Sequence, residues 1–370
     1  MIVTPELPPP AIEQPAPRQV SYGLVTGRAA RGTVRVLVFA NGKKVASRPL
    51  HGRRFSLRVA LPGGDSTVRV TTVAGSGRRS STDVHDVFGL PSGSRPQEVE
   101  ARNDAALGRK VTALARTFGG TAGVYVQSLT GGAGTAWNAR ATFPGASTMK
   151  LAIATTVLAQ HTGLPGPGSQ VYSLLSSMLT RSDNASANAL EVWLGGSTTG
   201  GSQRINELMR SIGMRDSEMY GGYELRTLAS RIPLRVEQQP GYGYGKHTTA
   251  WDIASLLRAI WLASGGRGHL IAAQPGFTAA DARYLLWLLA HVDDVPKLDR
   301  VRQGDAGVIV LHKAGWVSSS RHDSGLVFWR GGVFVASVMT WSSYGVGVSA
   351  DVLAGRVAHA ALEHFRRLEG

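Results

Sequence analysis

A chain of 370 residues, 43% hydrophobic and only 18% charged, is long and apolar enough to bury a sizeable core and to hold two domains, which excludes an intrinsically disordered protein. It has no cysteine, which excludes disulfides and thiolate metal sites, and no stretch approaches the roughly 18 uninterrupted apolar residues of a membrane span. A formal charge of +15 predicts attraction to polyanions, among which acidic lipid, anionic wall polymers and nucleic acid all qualify.

Prolines at positions 5, 8, 9, 10, 15 and 17 make residues 1–19 an extended, polyproline-like flexible leader. Met1 is followed by no apolar signal-peptide core, so the protein is either cytoplasmic or an exported one whose signal segment is absent from the sequence. Residues 20–90 then read as short β-rich runs. Residues 33–39 alternate before Asn41-Gly42, a strong hairpin signal, and residues 55–61 and 66–73 repeat the alternation between turn residues. The pattern predicts a small β-sandwich and resembles bacterial immunoglobulin-like modules. Between Arg18 and Asp86 there are 13 Lys/Arg against 3 Asp/Glu, and the arginines fall on alternate, solvent-facing strand positions.

Residues 91–104 read as a polar linker, and residues 105–370 as a second domain of mixed pattern. Residues 101–118 form an amphipathic helix and 123–129 a strand. At the far end 325–329 and 333–341 are strands, and 350–367 a last helix. Strands at both ends around a helical middle imply an α+β fold, in which an antiparallel sheet is built from distant segments and an all-helical lobe is inserted.

Three short motifs stand in this domain. Ser147-Thr148-Met149-Lys150 leads into residues 151–158, which are apolar nearly all round, so a buried helix should begin near the serine. Three residues apart on a helix, Ser147 and Lys150 share a face, and a lysine forced into apolar surroundings can lose its proton and serve as a base. Backbone N–H groups at that helix start could hold an oxyanion. Ser182-Asp183-Asn184 follows at the entry to another helix, and Lys313-Ala314-Gly315-Trp316 stands just after the apolar run 307–311.

The three motifs, in this order, are the signature of class A β-lactamases and penicillin-binding proteins, and the chain resembles that serine hydrolase family over roughly residues 105–363. Residues 181–190 are similar to the family's second motif with the helix after it. Residues 204–214 and 248–254 are similar to the flanks of its omega loop. The resemblance implies Ser147 as nucleophile, Lys150 as its general base and Ser182 as proton relay to the leaving nitrogen. It also implies Asn184 as donor to the substrate's acyl amide and Lys313 as the charge beside Ser182. Gly315 and Trp316 line the substrate site, with the N–H groups of Ser147 and Trp316 as oxyanion hole.

Two departures matter. Ala314 stands where the family carries a hydroxyl that binds the substrate carboxylate, and Arg321 or the Ser318-Ser319-Ser320 run is expected to replace it. The omega-loop Glu-x-x-Leu-Asn, whose glutamate activates the deacylating water, is missing: between Gly213 and Thr248 only Glu218, Glu224 and Glu237 occur, and Glu224 is the nearest candidate. Without a carboxylate at the acyl-ester, turnover should be slow.

The expected protein is therefore an extracytoplasmic, secreted or envelope-associated serine acyl-enzyme hydrolase of β-lactam amides. The alternatives are a D-alanyl-D-alanine carboxypeptidase or esterase of the same fold, and a catalytically weak wall-binding protein. A β-lactam or peptidoglycan peptide is the expected small substrate, with an anionic cell-wall polymer as partner of the basic module. No metal or other cofactor, no nucleic acid and a monomeric state are expected. The glycine-tyrosine run 241–246 has the wrong spacing for a phosphate loop. His312, His322 and Asp323 read as satisfied structural residues or cleft lining, and Trp251, Trp261 and Trp287 as core.

Overall fold

The computed structural model describes residues 7–224, 238–243 and 245–369. The chain divides into two compact units, Met1–Arg95 and Pro96–Gly370.

In the first unit, strands β1 (Ala11–Gln14), β3 (Leu24–Arg28) and β6 (Arg54–Arg58) form one sheet. Strands β2 (Gln19–Ser21), β4 (Thr33–Ala40), β5 (Lys43–Pro49), β7 (Gly64–Ala74) and β8 (Arg79–Gly89) form a second, ordered β2-β8-β7-β4-β5. Val25, Val36, Val38, Val68, Val70, Val84 and Val87 are buried in its core. Burial of each contributes about 1.5–3 kcal/mol, and β-branched side chains suit a pleated, half-buried surface. The intervening charges face water: Arg69, between Val68 and Val70, makes a two-pronged bond to Asp83 at 2.7 and 2.8 Å across β7 and β8. Asn41 and Gly42 both have positive φ, as the β4–β5 hairpin turn requires.

Part of the expected leader is not a tether. Residues 11–14 pair antiparallel with β3, and Gln19 already belongs to β2. The physical reason is position: β1 is an edge strand, so its proline neighbours withhold no ladder hydrogen bond, and Ile12 packs on the core.

The second unit is the expected α+β arrangement. Its sheet runs β14 (Ile309–Val317), β15 (Ser320–Trp329), β16 (Gly332–Trp341), β10 (Thr121–Ser128), β11 (Ala133–Trp137), β9 (Arg102–Asn103), so its first and last thirds interleave: Thr121 pairs with Trp341 and Ser128 with Phe334. Residues 102–103, expected in a linker, are instead the parallel edge strand β9. Helix α1 (Ala105–Arg116) starts on an Asp104 cap that accepts from Leu107 N at 2.9 Å and also meets His364 of α9 (Val348–Glu369) at 2.7 Å. Leu107, Val111, Val124, Val126, Phe334, Val338, Val357 and Phe365 share the core between these two helices and the sheet.

Helix α6 (Ala250–Ser264) packs on β10, β15 and β16. The helical lobe comprises α2 (Lys150–Gln160), α3 (Gln170–Thr180), α4 (Asn184–Gly195), α5 (Thr198–Ser211) and α8 (Ala279–Leu289). Every residue of α2 from Lys150 to Leu158 is buried, as its all-round apolar sequence requires.

Candidate active site

Ser147 sits in a 3-10 turn, Ala146–Met149, that opens directly into α2. Ala146 before it has φ 42°, a left-handed conformation costly for a residue with a side chain, and such strain collects at functional sites. Gly315 of β14 lies against this turn: a Cβ there would be 2.6 Å from Ser147 N and 2.8 Å from Thr148 N. Glycine is what lets the edge strand approach the amides beside the nucleophile.

Lys150 is fully buried one turn further on. Its Nζ donates to Ser182 O at 2.5 Å and Asn184 Oδ1 at 2.6 Å, and lies 3.5 Å from Ser182 Oγ. Among the described residues no hydrogen bond joins it to Ser147 Oγ, although the two share a face; a carbonyl and an amide oxygen hold the amine instead. Burial, with the nearby Lys313 charge, pulls the Lys150 pKa down to about 7. At neutral pH a large share is therefore free base.

Ser182 has φ 60° and enters α4, whose cap is Asp183, accepting from Ser186 N at 2.6 Å. The strained turn aims Ser182 Oγ at the buried Lys313, whose Nζ is 3.0 Å away and also donates to Ala314 O at 3.1 Å. Burial lowers Lys313 to about 8. One hydroxyl thus stands between two amines from distant segments, a path along which a proton can move. Ser147, Lys150, Ser182, Asn184, Lys313 and Gly315 are brought together as expected from their motifs.

Glu224 is a different matter. It is exposed, with φ 57°, and its charge favours the protonated form of Lys150. The side chain packed on the amine belongs to its neighbour, Tyr223, whose ring centroid is 4.7 Å from Lys150 Nζ and 4.3 Å from Lys246 Nζ. Asn188, one turn after Asn184 on α4, clamps the Tyr223 backbone from both sides: its Oδ1 accepts from Tyr223 N at 2.6 Å and its Nδ2 donates to Tyr223 O at 3.0 Å. The Tyr223 hydroxyl donates to Ala146 O at 3.1 Å.

Of the other acids, Glu218 is bridged through its backbone to His247, and Glu237 lies outside the described residues. Tyr223, Asn188 and Lys246 were missed as site residues. The only sequence signal was the four-residue spacing from Asn184 to Asn188, which puts both on one helix face. Lys246, from the run considered as a phosphate loop, donates to Gly222 O at 2.6 Å.

Arg321, expected to hold the substrate carboxylate, has a partner within the fold. It stands opposite Trp316 in the β14–β15 register, but its Nε and Nη2 donate to Asp351 of α9 at 2.6 and 2.8 Å. One two-pronged edge of the guanidinium is thus given to Asp351. Ser318 and Ser319 make the hairpin turn, and Ser320 is buried at the start of β15.

His312 pairs with Asp323 at 2.9 Å in the interior, and Asp323 also accepts from Leu298 N. His322 bonds Pro144 O at 2.8 Å and accepts from Thr340 N; burial lowers its pKa to about 4, so it is neutral. Trp261 is buried in α6 as expected, whereas Trp251 and Trp287 are only partly buried.

PBP-A is 19% identical to the chain, with a TM-score of 0.57 over 73% of this chain and all of that one. A PBP-A mutant solved as an acyl-enzyme complex with penicillin-G gives 20% and 0.55, again over 73% of this chain and all of that one. The β-lactamase from Sphaerobacter thermophilus gives 21% and 0.52, over 71% of this chain and 98% of its own. These likenesses show a shared β-lactamase-like fold. No curated protein matches the chain. The model of the beta-lactamase enzyme family matches residues 106–163 and 164–365, and with its motifs gathered around Ser147 the chain belongs to that family.

Proposed function

We propose that the protein is a serine acyl-enzyme hydrolase of the β-lactamase and penicillin-binding type, which opens the amide bond of β-lactams through an ester on Ser147. The observation that carries this reading is Ser182 Oγ, held 3.0 Å from Lys313 Nζ and 3.5 Å from Lys150 Nζ beside the strained Ser147 turn. In acylation Ser147 Oγ attacks the amide carbonyl and its proton passes to the free-base amine of Lys150. Lys150 passes that proton on to Ser182 Oγ, which, biased by the Lys313 charge, gives its own to the departing nitrogen as the C–N bond breaks. The developing oxyanion is taken by N–H groups of Ser147 and of Trp316, which Gly315 lets approach.

Deacylation needs a water activated next to the ester. Tyr223 packs its ring against the Lys150 amine, and Glu224, the nearest candidate carboxylate in sequence, is exposed. The acyl-enzyme should therefore be long-lived, as in a penicillin-binding protein. The test is intact-protein mass spectrometry over time after brief exposure to benzylpenicillin, beside Ser147→Ala. A persistent penicilloyl adduct absent from the variant supports the reading; a transient adduct with disappearing drug indicates an efficient β-lactamase, and no adduct refutes the acyl-Ser147 proposal.

The charge of the first unit supports an anionic wall polymer as a second partner, since 13 Lys/Arg stand against 3 Asp/Glu between Arg18 and Asp86. Sedimentation with cell walls that does not weaken in salt would count against it.

A further inference from the structure

The peptide that joins Ala146 to Ser147 carries two groups with different tasks. Its N–H is that of Ser147, an oxyanion donor in the proposed reaction, and its carbonyl is that of Ala146. A peptide is planar and trans, so the two point to opposite sides, and whatever fixes the oxygen also fixes the direction of the hydrogen. Ala146, at φ 42°, holds this peptide in a left-handed turn that a residue with a side chain keeps only where its surroundings enforce it.

Part of that enforcement comes from a distant segment. The Tyr223 hydroxyl donates to Ala146 O at 3.1 Å, across 77 positions of sequence. The residue before the turn is tied in the same region, since Gly145 N donates to Lys246 O at 2.8 Å. Tyr223 is itself well held. Asn188 bonds its backbone N and O at 2.6 and 3.0 Å, and Lys246 Nζ donates to the adjoining Gly222 O at 2.6 Å. Burial, with the Glu191 charge, holds the phenol well above its usual 10, so it stays protonated and keeps a hydrogen to donate.

We infer that Tyr223 is a positioning residue for the oxyanion hole: its hydroxyl, through Ala146 O, aims the Ser147 N–H at the carbonyl that acylates Ser147. This rests on the acyl-Ser147 reading. A hydrogen bond accepted by an amide oxygen also polarises the amide, so the same contact makes the Ser147 N–H a stronger donor to the oxygen that gains charge as the substrate amide opens. The two ends of one side chain thus have separate uses. The ring packs on the Lys150 amine, and the hydroxyl orients the peptide beside the nucleophile.

The experiment compares the full-length parent with Tyr223→Phe, which keeps the ring and removes only the hydroxyl. Quenched-flow mass spectrometry over a range of benzylpenicillin concentrations separates the limiting acylation rate from the dissociation constant of the complex that precedes it. The limiting rate should fall about two- to tenfold, the equivalent of one hydrogen bond, while the dissociation constant changes less than about twofold. In the infrared, the ester carbonyl stretch of the penicilloyl adduct should move to higher wavenumber, because a less polarised C=O bond is stiffer. An unchanged rate and stretch overturn the inference even if the variant melts at a lower temperature, since the hydroxyl is then a structural tie only. A loss confined to the dissociation constant also overturns it. Either result leaves acylation of Ser147 standing, whereas a parent that forms no penicilloyl adduct overturns the acyl-Ser147 reading and this inference with it.

Discussion

Asn184→Asp puts the protonation of Lys150 to a direct test. In the parent, Lys150 sits at about 7 against a usual value of 10.5, so at pH 7 roughly half of it is free base. An unperturbed lysine would offer about three parts in ten thousand. The introduced carboxylate would stand where Asn184 Oδ1 now lies, 2.6 Å from Nζ. An opposite charge that close favours the ammonium by about one to three pKa units, so the acid limb of acylation should move from near 7 to between about 8 and 10. At pH 7 the free-base share, and with it the acylation rate, should fall about 5- to 500-fold. It should recover only in part at higher pH, because Lys313, at about 8, loses its own charge there. The assay is the pH profile of the acylation rate with a chromogenic β-lactam. A lower rate with the limb unmoved would refute the assignment of Lys150 as the titrating base.

Tyr223→Glu places a carboxylate on the flank of Lys150, and the penicilloyl adduct should then decay about 100- to 10,000-fold faster, followed by mass spectrometry; an unchanged lifetime would show that Tyr223 does not limit deacylation. Gly315→Ala drives a methyl group against Ser147 N and should cut acylation by about 100-fold or more while the protein remains folded by circular dichroism. Asp323→Ala strands buried His312 and the Leu298 amide, and should cost about 3–5 kcal/mol in urea unfolding. The same pair gives a pH signature. Asp323 is held below its usual 3.8 in the fold, with the His312 charge opposing the cost of burial, so its contribution is present above 3.8 and lost as pH falls through the lower folded value. His312 is raised above 6.5, the Asp323 charge outweighing burial, so its contribution is complete below 6.5 and lost as pH rises through the higher folded value. The deficit of Asp323→Ala should be largest between about 4 and 6.5, and a deficit independent of pH would exclude the ion pair as its source.

The sequence by itself determined what depends on near neighbours along the chain. Alternation of valine with arginine determined the strands of the first unit, and Asn41-Gly42 its hairpin, because a period of two and a positive-φ turn are local properties. The all-round apolar run 151–158 determined the buried helix behind Ser147, and the three motifs named the side chains of the site. Tertiary structure decided what depends on partners far away in sequence. Residues 11–14 and 102–103 are too short and polar to announce themselves, and they are strands only because a sheet edge offers them hydrogen bonds. Arg321 is committed to Asp351, thirty positions on, and the amine of Lys150 turns to Asn184 and the Ser182 carbonyl instead of Ser147. Tyr223 reaches the site because Asn188 grips its backbone on both sides, a contact across 35 positions of sequence. Whether a side chain one residue to either side faces the nucleophile or the solvent is set by backbone direction, and that direction is fixed by contacts across the fold.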